Sequence, residues 1–226
     1  MKKLNLIILA IFITILGTSL VNSFQASKKA SNIDLEEKIK YVEVKKEKIL
    51  FLGDSITDLY NLKLYYDNKD KEYINSGRSG YKTTDLLKNF RNMLGQFDPD
   101  TVVILIGTND LSAGTSNDKI VDNIKKIVNE INIIEPNKKI YIQSVYPINK
   151  SKRPKGEKRD NKNIKYINAE LKKFCAENNV TFIDIYDSLA DSDGDLKSSY
   201  SEDGLHLTNE GYNVVTSILK DKLKEE

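Results

Sequence analysis

Apolar residues follow two rhythms along this chain. Short apolar runs rich in β-branched residues occur at Lys48–Leu52, Glu72–Ile74, Thr101–Ile106, Lys139–Val145 and Val180–Ile185. Between them lie amphipathic stretches at Thr57–Tyr66, Thr83–Leu94, Asp118–Ile134 and Asn161–Asn178, with a last one at Asn209–Leu223. In Asp118–Ile134, for example, Ile120, Val121, Ile124, Ile127, Val128 and Ile131 fall on one face of a helix, with Lys and Glu between them. Strands alternating with helices predict βαβ crossovers. The expected fold class is therefore α/β, with a five-stranded parallel sheet covered by helices on both faces. No internal repeat is visible.

The chain opens differently. Lys2 and Lys3 precede an apolar run, Leu4 to Val21, interrupted only by Asn5, Thr14, Gly17, Thr18 and Ser19. A basic start, an apolar stretch and small residues predict a secretory signal peptide over residues 1–26. The run is long enough that retention as an N-terminal membrane anchor is an equal expectation. Val21-Asn22-Ser23 suits cleavage better than Phe24-Gln25-Ala26, where Phe24 is bulky. Residues 27–46 are rich in Lys and Glu and read as a charged linker, a stalk or a loosely docked helix, which leaves 47–226 as the folded domain. The expected location is secreted or at the cell surface.

Composition narrows the function. The chain carries 35 Lys+Arg against 33 Asp+Glu, and two of the lysines fall in the first 26 residues, so the remainder is neutral. A neutral domain argues against a nucleic-acid partner. A lone Cys175 cannot form an internal disulfide, and a lone His206 excludes a multi-histidine metal site. No metal or cofactor is expected.

In a parallel α/β sheet the ligand site lies at the carboxyl ends of the strands. The first predicted strand ends in Gly53-Asp54-Ser55, the second in Asn75-Ser76-Gly77-Arg78-Ser79-Gly80 and the third in Gly107-Thr108-Asn109-Asp110. The only histidine stands in Asp203-Gly204-Leu205-His206, before the last helix. Each piece has an ordinary explanation: Ser55 with Asp58 fits a helix cap box, the glycines a turn, Asn109 a cap, and Asp203 with His206 a local loop bond. Together they supply the parts for acyl transfer at one sheet edge.

The arrangement resembles the SGNH hydrolases, also called GDSL-type esterases and lipases. The blocks Phe51-Leu52-Gly53-Asp54-Ser55-Ile56-Thr57, Asn75 to Gly80, Gly107 to Asp110 and Asp203-Gly204-Leu205-His206-Leu207 occur in the family's order. The resemblance implies a flavodoxin-like three-layer α/β/α sandwich. It also implies Ser55 as nucleophile, with His206 and Asp203 completing a triad. Ser55, Gly80 and Asn109 would donate to the oxyanion. The implied activity is serine ester hydrolysis through an acyl-enzyme, on a small-molecule, lipid or glycan ester. An O-acetyltransferase acting on surface glycan is the second reading, and a flavodoxin-like binding protein without catalysis is the third.

The chemistry fits these roles. A serine hydroxyl is a poor nucleophile until a base takes its proton, and neutral imidazole is suited to that task. Asp203, three residues before His206, can meet it across one turn, as side chains at that spacing do in a helix. A residue opening a helix has free backbone N–H groups beside it.

Three further patterns point to other chemistry. Asp191, Asp193, Asp195 and Glu202 match positions of a calcium loop, but Leu196 stands where that loop needs glycine. Gly80-Tyr81-Lys82-Thr83 lacks the glycine that precedes lysine in a nucleotide P-loop. The basic segment Lys150–Asp160 reads as a solvated loop, or as an attractor of anionic polymer or lipid headgroups. Tyr81 and Tyr146 are either pocket-lining or packing residues.

Overall fold

The structure is a computed structural model that describes residues 16–31 and 45–224. Its two compact units are Met1–Lys45 and Lys46–Glu226. In the first, residues 16–31 form one helix (α1) with Leu16, Leu20 and Phe24 exposed. Residues 4–15 of the expected signal or anchor run, and residues 32–44 of the expected linker, lie outside the described residues. The first residues of that segment, 27–31, are helical. No helix among the described residues is long and apolar enough to cross a membrane.

The second unit contains strands β1 (Glu47–Gly53), β2 (Lys71–Gly77), β3 (Thr101–Leu105), β4 (Lys139–Gln143) and β5 (Thr181–Ile183). All neighbours are parallel, in the order β2-β1-β3-β4-β5. The register pairs Gly53 with Gly77 on one side and with Leu105 on the other, so the carboxyl ends of β2, β1 and β3 finish level. Chain order reverses between β1 and β3, and this is where such a sheet opens a crevice. Ile49–Leu52 and Val102–Ile106 are buried throughout, as strands covered on both faces require.

Helices α4 (Thr83–Phe97), α6 (Asn117–Ile134) and α7 (Asn161–Glu177) pack side by side on one face. Helix α9 (Asn209–Leu223) covers the other. There Tyr212 stacks on Tyr60 with ring centroids 4.9 Å apart, and Tyr60 meets Phe51 of β1 edge-on. The expected three-layer sandwich is present. Short helices follow three strands: α2 (Ser55–Asp58) after β1, α5 (Thr108–Ala113) after β3 and α8 (Tyr186–Leu189) after β5.

One expected element is broken. Instead of a helix over Thr57–Tyr66, the chain forms α2 and a second four-residue helix, α3 (Leu62–Tyr65). The cause lies in β2. Asn75 Nδ2 donates to the carbonyls of Thr57 (2.6 Å) and Tyr60 (2.9 Å), the acceptors an unbroken helix would offer to Asn61 and Leu64. Tyr60 N–H bonds Thr57 O instead, closing α2 on a tight turn.

Candidate active site

Ser55 reaches its place because the chain turns sharply at Gly53. A Cβ there would stand 2.1 Å from Thr57 Oγ1 and 2.4 Å from the Leu105 carbonyl oxygen, so only glycine lets α2 fold back over the strand ends. Asp54 caps α2 through its carboxyl group, whose Oδ1 accepts from Ile56 N–H at 3.0 Å. From behind, Tyr212 Oη on α9 donates to Ile56 O at 2.7 Å. Ser55 thus opens a helix held by its cap and by Tyr212, and is buried with its hydroxyl 2.9 Å from His206 Nε2.

His206 stands on a bend, not a helix, so its meeting with Asp203 has a different origin from the helical spacing expected. Asp203 Oδ1 accepts from the backbone N–H groups of Leu205 (2.9 Å) and His206 (2.8 Å), which wraps the chain around the carboxylate. Its other oxygen, Oδ2, lies 2.7 Å from His206 Nδ1. Gly204 permits the wrap with φ +80°. Burial works against the Asp203 charge, but the two N–H groups and the imidazole outweigh it and hold the carboxyl at about 2.

The two glycines of the second block differ in kind. A Cβ on Gly77 would lie 2.2 Å from Asp58 N, so Gly77 is what brings β2 against α2. Gly80 has open space around it and φ +81°. Its N–H has no acceptor among the described residues, and the turn is closed instead by Tyr81 N–H on Arg78 O.

Asn109 sits on α5, behind Gly107 with φ +130°. Its Nδ2 donates to Tyr81 O at 3.0 Å, which ties α5 to the loop carrying Gly80. Its Oδ1 accepts from Arg159 Nη2 at 3.0 Å. Beneath, the Asp110 carboxylate accepts from Thr83 N and Thr83 Oγ1, joining α5 to the start of α4. The structure therefore brings Ser55, His206 and Asp203 into one hydrogen-bonded line and links the Gly80 loop directly to Asn109.

A cleft of about 690 Å³ opens beside the imidazole, lined among others by Ser199, Glu202, Asp203, Thr208 and Glu210. Its wall mixes carboxylates and hydroxyls with an about equal share of apolar surface, and Ser55, Gly80 and Asn109 are not among its lining residues. Tyr146 does not line it; it is buried, with its hydroxyl on Gln143 Oε1. Tyr81 contributes its carbonyl rather than its ring to the Asn109 contact. Asp191 and Asp195 serve turns: Asp191 Oδ1 accepts from Asp193 N and Asp195 N, and Asp195 Oδ1 from Asn161 Nδ2.

The basic segment is not a free solvated loop. Arg159 is buried against Thr108 and Asn109, Arg153 pairs with Glu157 at 3.0 Å, Lys150 pairs with Asp160, and Lys152 Nζ donates to the carbonyls of Ser198 and Ser201. These contacts were hidden at the sequence level by the run of like charges. The only hint was the four-residue spacing of Arg153 and Glu157.

Comparison with known proteins gives three kinds of likeness. The sequence profile of the GDSL-like lipase/acylhydrolase family matches residues 51–214. Among curated proteins, the chain is 29% identical over 170 residues to an N-acylneuraminate cytidylyltransferase of Streptococcus agalactiae, covering 74% of this chain but only 37% of that one. It is 26% identical over 184 residues to the human platelet-activating factor acetylhydrolase IB subunit alpha2, covering 80% of this chain and 78% of that one. Among solved structures, a protein from Streptococcus pneumonia described as a candidate platelet activating factor superposes with TM-score 0.73 at 30% identity, covering 88% of this chain and 98% of that one. A catalytic mutant of an acetylxylan esterase from Geobacillus stearothermophilus superposes with TM-score 0.66 at 20% identity over 80% of this chain and 96% of that one, a likeness of fold.

Proposed function

The chain belongs to the GDSL-like lipase/acylhydrolase family, and from that premise we propose that it is a carboxylic ester hydrolase with Ser55 as nucleophile. The observation that carries this reading is the continuous line from Ser55 Oγ through His206 Nε2 and Nδ1 to Asp203 Oδ2, at 2.9 and 2.7 Å.

In the first half-reaction Ser55 Oγ bonds to the acyl carbon while its proton passes to His206 Nε2. Asp203 holds the ring so that Nδ1 keeps its hydrogen and Nε2 is the acceptor, and its charge stabilises the imidazolium. The carbonyl oxygen becomes an oxyanion. Its donors are the N–H of Ser55, the N–H of Gly80 and the second hydrogen of Asn109 Nδ2. The α2 cap holds the Ser55 N–H, and Tyr81 O and Arg159 hold the Asn109 amide, which limits the reorganisation needed as charge develops. The tetrahedral species collapses, the ester C–O bond breaks, and the alcohol leaves with the proton from His206. Water then repeats the sequence on the acyl-enzyme and releases the acid.

The acyl group we assign is acetyl or another short chain, on a polar alcohol. The name of one relative, an acetylhydrolase subunit, supports the acyl half. The hydroxyl, amide and carboxylate groups of Ser199, Glu202, Thr208, Asn209 and Glu210 in the cleft beside His206 support the alcohol half. Export belongs to the same proposal, supported by Lys2, Lys3 and the apolar run Leu4–Val21; fractionation with N-terminal sequencing of the mature chain tests it. The enzymatic reading is tested by labelling with a fluorophosphonate and by a panel of acyl esters with and without a glycan acceptor. Labelling that is lost in Ser55→Ala, with acid rather than acylated glycan as product, supports hydrolysis. Dominant transfer to the acceptor would make the protein an O-acetyltransferase.

A further inference from the structure

We propose that Arg159 is a positioning residue for the oxyanion donor Asn109, and that Glu157 and Arg153 couple it to the Asp203 turn, so that one loop sets the geometry of both halves of the site. The inference rests on the reading of the site given above.

The guanidinium of Arg159 is buried and forks into the opening of α5. Its Nε donates to Thr108 O at 2.9 Å and to Thr108 Oγ1 at 3.1 Å, and its Nη2 to Asn109 Oδ1 at 3.0 Å. A guanidinium has donors and no acceptor, so the Asn109 amide can face it only with oxygen. That turns the NH2 group away from Arg159. One of its hydrogens is held by Tyr81 O. The other is left to aim at the reacting carbonyl. The flipped amide, in which oxygen would face the oxyanion, is opposed from one side by Arg159 and from the other by the Tyr81 carbonyl; without Arg159 only the Tyr81 contact is left to hold the productive orientation.

The remaining donor, Nη1, goes to Glu157 Oε2 at 2.7 Å. The same carboxylate oxygen accepts from Arg153 Nε at 3.1 Å, and Arg153 Nη1 donates to the Asp203 carbonyl at 3.1 Å. Burial opposes the Glu157 charge, but the Arg159 N–H and the two guanidinium groups hold its carboxyl below the usual range, so the ladder stays ionised. The loop also meets the Asp203 turn through its backbone. Asn149 N–H bonds Gly204 O at 2.9 Å, and a Cβ on Gly204 would lie 2.5 Å from Asn149 O.

The test is a double-mutant cycle on the full chain, with an aryl acetate as probe and Ser55→Ala as blank. Lysine has one compact ammonium and cannot serve Thr108, Asn109 and Glu157 together. Arg159→Lys should lower kcat by about 10²-fold with KM changed little, the scale of a donor misplaced by about an ångström. In an Asn109→Ala background the same change should cost less than about threefold, because its target is gone. Equal losses in both backgrounds, or a wild-type kcat in Arg159→Lys, overturn the proposal. If Arg159→Lys does not fold, Glu157→Gln replaces it in the cycle under the same criterion. Activity retained in Ser55→Ala would instead remove the underlying reading of the site, and this proposal with it. An inactive Ser55→Ala beside an unimpaired Arg159→Lys removes only the positioning role.

Discussion

Ser55 and His206 stand 151 positions apart in the chain, yet Ser55 Oγ lies 2.9 Å from His206 Nε2. The contact depends on two independent turns, one at Gly53 and one at Gly204, each shaped by a close approach that a Cβ would block. Replacing Ser55 with alanine leaves both turns and the α2 cap intact. Hydrolysis should fall by several orders of magnitude, about 10⁶ by the scale of nucleophile loss in a serine protease, with the melting temperature almost unchanged. Steady-state assay of purified Ser55→Ala beside its thermal melt checks this; a rate within tenfold of wild type would place the nucleophile elsewhere.

Asp203 has two jobs that a substitution can separate. Oδ1 wraps the bend through Leu205 and His206, and Oδ2 fixes the ring. An asparagine side chain at this position still offers one oxygen to the bend but presents NH2 to Nδ1, which favours the tautomer with hydrogen on Nε2. Asp203→Asn should therefore lose about 10⁴ in kcat while KM and the fold hold. Asp203→Ala should lose the bend as well, seen as a lower melting temperature. Equal melting of the two variants would show that the carboxylate does not organise the bend.

The layered α/β architecture was legible because buried strands and amphipathic helices differ in period, and Asp118–Ile134 is realised as Asn117–Ile134. Short-range pattern could not foresee the split of α2 and α3, since the group that breaks them, Asn75, arrives from the next strand. The site residues were named from ordered motifs, but the motifs say nothing of what orients them. Arg159 illustrates the gap: among six basic residues in Lys150–Asp160, composition cannot tell a buried fork from a solvated charge.

Gly77 and Gly80 should respond oppositely to alanine. At Gly77 the added methyl would lie 2.2 Å from the Asp58 backbone nitrogen, which cannot move without shifting α2 and Ser55. Gly77→Ala should depress both stability and kcat, or fail to fold. At Gly80 the space is open and only φ +81° is unfavourable, costing about 1–2 kcal/mol. Gly80→Ala should fold, with a modestly lower melting temperature and the N–H still available. Melting curves and kcat for the pair check the contrast, and a more damaged Gly80→Ala would reverse the assignment of their roles.

Asp54 gives the fold a pH dependence opposite in sign to that of Asp203. Burial raises the Asp54 carboxyl from 3.8 to about 7, more than the Ile56 N–H and the Arg159 charge can offset. Below about 4 the group is protonated in both folded and unfolded chains and contributes no pH dependence. As pH rises from about 4 to 7 the unfolded chain ionises first, so stability declines through that window, by on the order of 4 kcal/mol at its full extent. Asp203, held at about 2, acts in a separate window: its contribution is present above about 4 and is lost as pH falls toward 2. Asp54→Asn keeps an oxygen for the Ile56 N–H but cannot ionise. Denaturant unfolding of Asp54→Asn and wild type from pH 4 to 8 should therefore give curves that diverge as pH rises, with the variant flatter and at least as stable above pH 7. Parallel curves across that range would mean that Asp54 ionises normally beside Ser55, and that the nucleophile sits next to a charge rather than a neutral acid.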